Sequence, residues 1–301
     1  MLSIKKYAAI DIGSNAVRLL IATITEPHEQ PPIFKKTSLV RVPIRLGEDV
    51  FLKGKVSESN KKRMRDTMQA FSLLMKSHKV IQYKACATSA MRDAENGQEL
   101  AQDIKAETGI DIEIIDGDHE AAMIATTDLR NLIQNDKNYL YVDVGGGSTE
   151  LSFFTEGEKL ASKSFKIGTV RLLNDRVEES LWNEMKLWIQ NVTKGYTKIS
   201  LIGSGGNINN IFKSSGKKIG KPLSYFYLSS YYQLLTSLTY EERIVKLNQN
   251  EDRADVIIPA TKIYLSTMKW SRARKVYVPK IGLADGIIKY MYNEEQQQTI
   301  F

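Results

Sequence analysis

Cysteine and histidine are scarce in this sequence: of 301 residues one is cysteine, Cys86, and three are histidine. A single cysteine excludes an intrachain disulfide. Its apolar setting in "QYKACATSA" reads as a buried, inert thiol rather than a reactive one. His28, His78 and His119 fall at no metal-ligand spacing, which sets aside the zinc sites built from such residues. Long aliphatic runs are lacking too. The apolar stretch in "MLSIKKYAAIDIGSNAVRLLIATIT" is interrupted by Asp11, Asn15 and Arg18, so neither a signal peptide nor a membrane span is expected. Neither zinc-ligand spacing nor an aromatic strand of the RNA-recognition kind points to a nucleic-acid module. The expectation is a soluble, intracellular, cytoplasmic protein with neither a nucleic-acid nor a membrane partner.

What remains is an ordinary globular composition, 42% hydrophobic and 26% charged, with material for a real core. The chain is longer than one core usually serves, so two domains are expected. The formal net charge of +7 favours anionic partners through long-range attraction without naming any. The densest basic stretch, "KSSGKKIGK", reads in the first instance as a solvated loop.

Strands and turns dominate the first third. "YAAIDIG", "AVRLLIATI" and "TSLVRVPIRL" are aliphatic and β-branched and are bounded by turn formers. A helix is expected over 57–78, capped by Ser57 or Ser59, with Met64, Met68, Phe71, Leu74 and Met75 recurring as a core stripe. Strands "VIQYKACAT" and "DIEIID" flank a helix that ends at Gly109. A helical run, "DHEAAMIATTDLRNLI", leads to a second strand–turn–strand, "NYLYVDVGGGSTELSFF", and the strand "KLASKSFKIG". Then come a helix over 178–194, the strand "KISLIG", helices over 229–247 and 251–268, the strand "KVYVP" and a last helix from "GLADGIIKYMY". Both halves begin with three strands and a Gly-rich first turn, and that long repeat indicates a duplicated domain rather than a solenoid.

The two turns carry the chemistry. If Gly145 to Ser148 form a four-residue loop, Val144 pairs with Thr149 and Asp143 with Glu150, and directly opposed residues share a face. Two carboxylates so placed repel unless a cation joins them. Hydrated Mg²⁺ suits, since it takes oxygen ligands and keeps several waters. Gly145, Gly146 and Gly147 have no Cβ and can turn amides toward an anion, with Ser148 adding a hydroxyl. Gly13, Ser14 and Asn15 repeat the construction. The same count pairs Asp11 with Arg18, either as a structural ion pair or with Arg18 touching phosphate.

These residues resemble the actin, hexokinase and Hsp70 superfamily, and within it the exopolyphosphatase and guanosine pentaphosphate phosphatase family. The resemblance rests on "DIGSNAVRLLI", "ACATSAMRDAENG", "IIDGDHEAA" and "VDVGGGSTEL", followed in order by "IGSGGN", "RADVIIPA" and "IGLADGI". It implies an α/β fold of two duplicated ribonuclease H-like (actin-like ATPase) domains with an interdomain cleft: residues 1–123 plus 285–301, and residues 124–284. It implies Glu120 as general base and Arg92 as a phosphate contact. Asp143 and Glu150, with Asp11, would hold Mg²⁺, with a monovalent cation as a further cofactor. Gly13, Ser14, Asn15, Arg18, Gly145, Gly146 and Ser148 would cradle phosphate. Gly205 and Gly206, with Lys213, Lys217, Lys218 and Lys221, are candidates for nucleoside or polyphosphate contacts. Three places depart from the family pattern: Ala16 lacks a hydroxyl, and Ala284 and Asp285 replace an Arg-Glu pair.

The leading expectation is Mg²⁺-dependent removal of the terminal phosphate of inorganic polyphosphate, by a chain that could form a homodimer. Hydrolysis of guanosine pentaphosphate at its 5′ γ-phosphate is the rival. A small-molecule kinase of the same superfamily, or a non-catalytic binder of polyphosphate or an alarmone, are the other classes.

Overall fold

The computed structural model describes residues 2–125 and 137–299. Its contacts divide the chain into two units, one of residues 1–127 with 283–301 and one of residues 128–282.

In the first unit, β1 (Ser3–Ile12), β2 (Val17–Glu26) and β3 (Ile33–Val42) form an antiparallel meander. Strands β4 (Gln82–Ala87) and β5 (Ile112–Ile114) extend it in parallel, giving the order β3-β2-β1-β4-β5. The second unit repeats this plan. β6 (Asn138–Val144), β7 (Thr149–Thr155) and β8 (Glu158–Phe165) are the meander, and β9 (Ile199–Ser204) and β11 (Lys275–Tyr277) are the parallel extension. A sixth strand departs from the repeat: β10 (Leu223–Ser224) pairs antiparallel with β11. Two mixed sheets of this order, with helices, are the duplicated ribonuclease H-like fold that the sequence resemblance implied.

Helices follow local rules. α1 (Leu46–Lys53) precedes α2 (Glu58–Ser77), where Ser57 caps by accepting from the Asn60 amide. Met64, Met68 and Phe71 are buried against Ile10, Ile12 and Leu19, so the methionine stripe is core. The strand expected to run to Leu46 stops at Val42 instead. Pro43 cannot donate to the ladder, and the residues after it turn into α1. α3 (Ser89–Asp93), α4 (Gly97–Thr108) and α5 (Gly117–Ala125) complete the run, α4 closing on Gly109 in the left-handed region. The part of the expected helix beyond Ala125 lies outside the described residues.

The second unit holds α6 (Thr169–Leu173), α7 (Glu179–Val192), α8 (Gly206–Ser214), α9 (Tyr225–Ser237), α10 (Tyr240–Leu247), α11 (Glu251–Ala254) and α12 (Ile257–Ser271). The helix expected over 251–268 is broken at Asp255, whose carboxylate accepts from the Val256 amide, and Pro259 falls in the first turn of α12, where its missing N–H costs nothing. α13 (Leu283–Thr299) returns to the first unit. Asp285 pairs with Lys36 of β3 at 2.7 Å, and Tyr292 donates to Glu26 of β2. Among the described residues no helix is long and apolar enough to cross a membrane.

Candidate active site

Strand alternation sorts β6 by face. Leu140, Val142 and Val144 enter the apolar core with Leu151, Phe153 and Leu201, which leaves Tyr141 and Asp143 on the other face. The register is the one counted from sequence: Val144 opposes Thr149, and Asp143 opposes Glu150. Both acids are buried, at 9% and 3% exposure. Such burial is tolerated only with hydrogen bonds, and they are supplied by neighbours that sequence reasoning missed. Ser204, opposite Asp143 on β9, donates to Asp143 Oδ2 at 3.1 Å, and Tyr141 lies at 3.5 Å from the same oxygen. Ser164, opposite Glu150 on β8, donates to Glu150 Oε1 at 3.0 Å. Burial, and then the Asp143 carboxylate, push the Tyr141 phenol well above its ordinary range, so it stays a neutral donor. Extending the hairpin count from β7 to β8 would have found Ser164. Ser204 needed the parallel register of β6 and β9, which sequence does not display.

The turn between these acids is held from outside. The Gly145 amide donates to the Ser148 carbonyl at 2.9 Å. Thr169 and Val170 donate to the carbonyls of Gly145 and Gly146, and Arg171 Nε donates to that of Gly147 at 2.8 Å. All three glycine carbonyls are thereby drawn toward the start of α6. The amides of Gly146, Gly147 and Ser148 have no acceptor among the described residues. Backbone donors left in this way are what an oxyanion requires. Gly168 makes the buttress fit: a Cβ there would stand 2.3 Å from the Gly146 carbonyl oxygen. Gly205, at φ +107°, lies against the end of β6, and a Cβ on it would come within 3.2 Å of Asp143 Oδ1.

The first turn repeats the bend, Gly13 donating to the Ala16 carbonyl at 3.2 Å. Here the buttress is α1: Gly47 donates to the Ser14 carbonyl and Arg45 to that of Asn15. Ser14 Oγ and Ser89 Oγ share a buried hydrogen bond of 2.9 Å. Asp11 opposes Arg18 in register and accepts from its Nη1 at 2.7 Å, so the ion-pair reading of that position is realised. The Arg18 side chain is about a third exposed.

Glu120 lies in the first turn of α5, 9% exposed, its amide bonded to the Asp116 carbonyl while the Asp116 carboxylate accepts from His119. A solitary glutamate at a helix start would be expected at the surface, and this one is buried. Its neighbourhood is fixed by Cys86, the partner of Asp11 on β4, whose sulfur is 4.0 Å from that of Met123, one helical turn beyond Glu120. Burial above all, with Glu113, Asp11 and Glu120 adding to it, pushes the Cys86 thiol up to about 12. It is the inert thiol that the sequence indicated. His119 turns elsewhere, toward Glu113 and the edge of Tyr290. Arg92 donates to the Ile115 carbonyl at 2.7 Å and so anchors the loop that leads into α5.

The candidates beyond these turns separate. Gly205 and Gly206 sit at the carboxylate end of β9, whereas Lys213, Lys217, Lys218 and Lys221 are exposed at and beyond the far end of α8. Nine residues of helix put about 13 Å between the two groups.

The donors at this turn are of the kind that Mg²⁺ takes. Asp143 and Glu150 offer a pair of buried carboxylates on one face, and among the described residues no group of three or more His, Cys, Asp or Glu side chains is gathered for a metal. Two carboxylates, with water and substrate completing the shell, suit Mg²⁺ better than a cation that demands a full protein cage. Asp11 fits less well, since Arg18 already matches its charge.

Among solved structures, an exopolyphosphatase from Cytophaga hutchinsonii superposes with a TM-score of 0.83 at 26% identity, covering 96% of this chain and 98% of that one. A Ppx/GppA family member from Aquifex aeolicus gives a TM-score of 0.75 at 26% identity over 97% and 99%. Exopolyphosphatase 1 of Mycobacterium tuberculosis is 27% identical over 170 residues, 56% of this chain and 48% of that protein. Exopolyphosphatase 2 of the same organism is 32% identical over 179 residues, 57% and 54%. The chain thus spans about half the length of the curated relatives it matches. The model of the Ppx/GppA phosphatase family matches residues 20–295, a span that takes in Arg92, Glu120 and the whole carboxylate turn. By that match the chain belongs to the Ppx/GppA phosphatase family.

Proposed function

We propose that the protein is an exopolyphosphatase, which hydrolyses the terminal phosphate of inorganic polyphosphate. The observation that carries the reading is the second turn: two buried, opposed carboxylates beside backbone amides that have no acceptor among the described residues. Phosphoryl transfer asks a protein mainly for positioning and charge neutralisation around an in-line displacement. In the proposed reaction Glu120 accepts a proton from water as the water oxygen bonds to the terminal phosphorus. The P–O bond to the next phosphate breaks, and that phosphate leaves with the bonding electrons. The amides of Gly146, Gly147 and Ser148 hold non-bridging oxygens, and the Ser14 turn is assigned the same task. Asp143 and Glu150 would bind Mg²⁺, which when bound supplies positive charge to the phosphoryl oxygens.

Hydrolysis of guanosine pentaphosphate is the second reading. It is favoured by the contact of Gly205 with Asp143, which sets the "IGSGGN" turn at the carboxylates, where a nucleoside could be met. Identity of 27–32% to exopolyphosphatases does not separate the two. Phosphate release from polyphosphate, guanosine pentaphosphate and ATP, each with Mg²⁺ and with chelator, does. Release from polyphosphate that stops on chelation is expected. Faster turnover of guanosine pentaphosphate selects the second reading, and release from neither removes both.

A further inference from the structure

The second unit carries a group of cations at the end of its sheet opposite the carboxylates. β6, β9 and β11 run parallel, and where they begin a cavity of about 360 Å³ is lined by Lys137, Lys198, Arg272, Arg274 and Lys275. Among the described residues that line it there is no acid. Among the described residues none of Lys198, Arg272, Arg274 and Lys275 forms an ion pair, although all four are exposed and free to reach one. Five strand residues at about 3.3 Å each put the cavity about 17 Å from Asp143.

Two further features describe this cavity. Lys198 and Arg272 both hold left-handed backbone, at φ 54° and 59°, a conformation that glycine or asparagine occupies at less cost. Arg272 caps α12 and answers its dipole there, but Lys198 and Lys275 stand at strand starts and have no such reason to be basic. The loop that carries Lys217, Lys218 and Lys221 leads directly into β10, which lies beside Lys275. Ligands of open α/β sheets ordinarily bind at the carboxyl ends of the strands, so this place is not the fold's own substrate end.

We propose that this cavity is a second anion site that binds an oligophosphate, a ligand with two or more phosphoryl groups in a row. Five cations spread over three strand starts exceed what one phosphate can contact, and the arginine forks suit adjacent phosphoryl groups. The volume falls in the range of small-molecule sites. Ile199, Ser200 and Tyr277 complete the lining, the last two giving a hydroxyl and an aromatic face. An inorganic chain and the phosphate tail of a nucleotide share this chemistry. The site stands on its own residues and does not depend on the hydrolase reading.

The test is calorimetric titration of the full chain with tripolyphosphate, ATP and citrate, in chelator so that Mg²⁺-dependent hydrolysis does not consume the ligand. Wild type is compared with Arg272→Gln/Arg274→Gln/Lys275→Gln and with Lys198→Gln, a single exposed change that keeps the test alive should the triple variant fold poorly. The expected result is a class of tripolyphosphate binding weakened about tenfold or more in the triple variant and less in Lys198→Gln. That result holds whether or not a second class is seen at the carboxylate turn. Tighter binding of tripolyphosphate than ATP identifies the inorganic chain, and the reverse identifies a nucleotide. Affinity and stoichiometry unchanged in both variants, or citrate bound as well as tripolyphosphate, would overturn the assignment.

Discussion

At Gly13 and at Gly145 the backbone makes the same bend, after an aspartate two residues earlier, between the first two strands of a like-ordered sheet. Each bend is tied back through its carbonyls to the helix that follows the third strand, α1 in one unit and α6 in the other. The residue across from the aspartate differs. Arg18 closes an ion pair with Asp11, whereas Glu150 faces Asp143 as a second acid. The partner on the parallel strand differs too: the Cys86 thiol beside Asp11 turns to Met123, while Ser204 beside Asp143 donates to it. One aspartate faces a base across its hairpin and the other faces a second acid, so side chains have set a duplicated backbone to two different charge patterns.

The most severe way to break this comparison is to give the second turn the charge pattern of the first. Glu150→Arg should lower phosphate release by about a thousandfold or more, beyond rescue by added Mg²⁺. A variant that keeps most of its rate would show that the acid pair is not what distinguishes the turns. Glu120→Gln tests the base separately: release should fall by about a hundredfold to ten-thousandfold while tripolyphosphate affinity measured by calorimetry is retained. Loss of both together would mark Glu120 as a binding or folding residue instead.

Smaller effects probe the buttresses. A methyl group at Gly168 would meet main chain at Gly146, which cannot yield, so Gly168→Ala should cost about 2–3 kcal/mol in denaturant unfolding. At Gly47 the nearest atom, at 2.8 Å, belongs to the Phe51 ring, which can swing, so Gly47→Ala should cost less than about 1 kcal/mol. Equal costs would mean that the two buttresses are not built as differently as these contacts indicate.

A probe of comparable size is Asp49, which fastens α1 to the start of α2. Ser57, by amide and hydroxyl, and Asn60 donate to one of its carboxylate oxygens. Burial opposes the charge, but these bonds outweigh it and hold the group below its ordinary 3.8. A lowered value in the folded chain adds stability that is whole above pH 3.8 and is lost as pH falls through the folded value. Asp49→Asn should therefore cost about 1–2 kcal/mol near neutrality, and thermal melts of the two proteins should converge in acid.

Much of the site was legible because it is local. Hairpin counting across Gly145–Ser148 gave the opposed acids, a repeated bend gave the duplication, and helical spacing gave the methionine stripe. What sequence withheld comes from segments far along the chain. Gly168 reads as the end of a strand and Arg171 falls in no expected element until the fold sets them against Gly146 and Gly147. The lysines of "KSSGKKIGK" read as continuous with "IGSGGN", and only α8 shows that a helix separates them. Asp285, a departure from the family pattern, acquires a role only once Lys36 of β3 is placed beside it.

The return of α13 has a consequence for synthesis. The second unit is one continuous stretch and can close as soon as it has left the ribosome. The first, although translated earlier, must wait for residues 283–299 before Ile287, Ile288 and Met291 cover its sheet and α5. Domains ordinarily mature in the order in which they emerge. Here the later-born unit is set to mature first, and the older one is exposed until the final helix arrives.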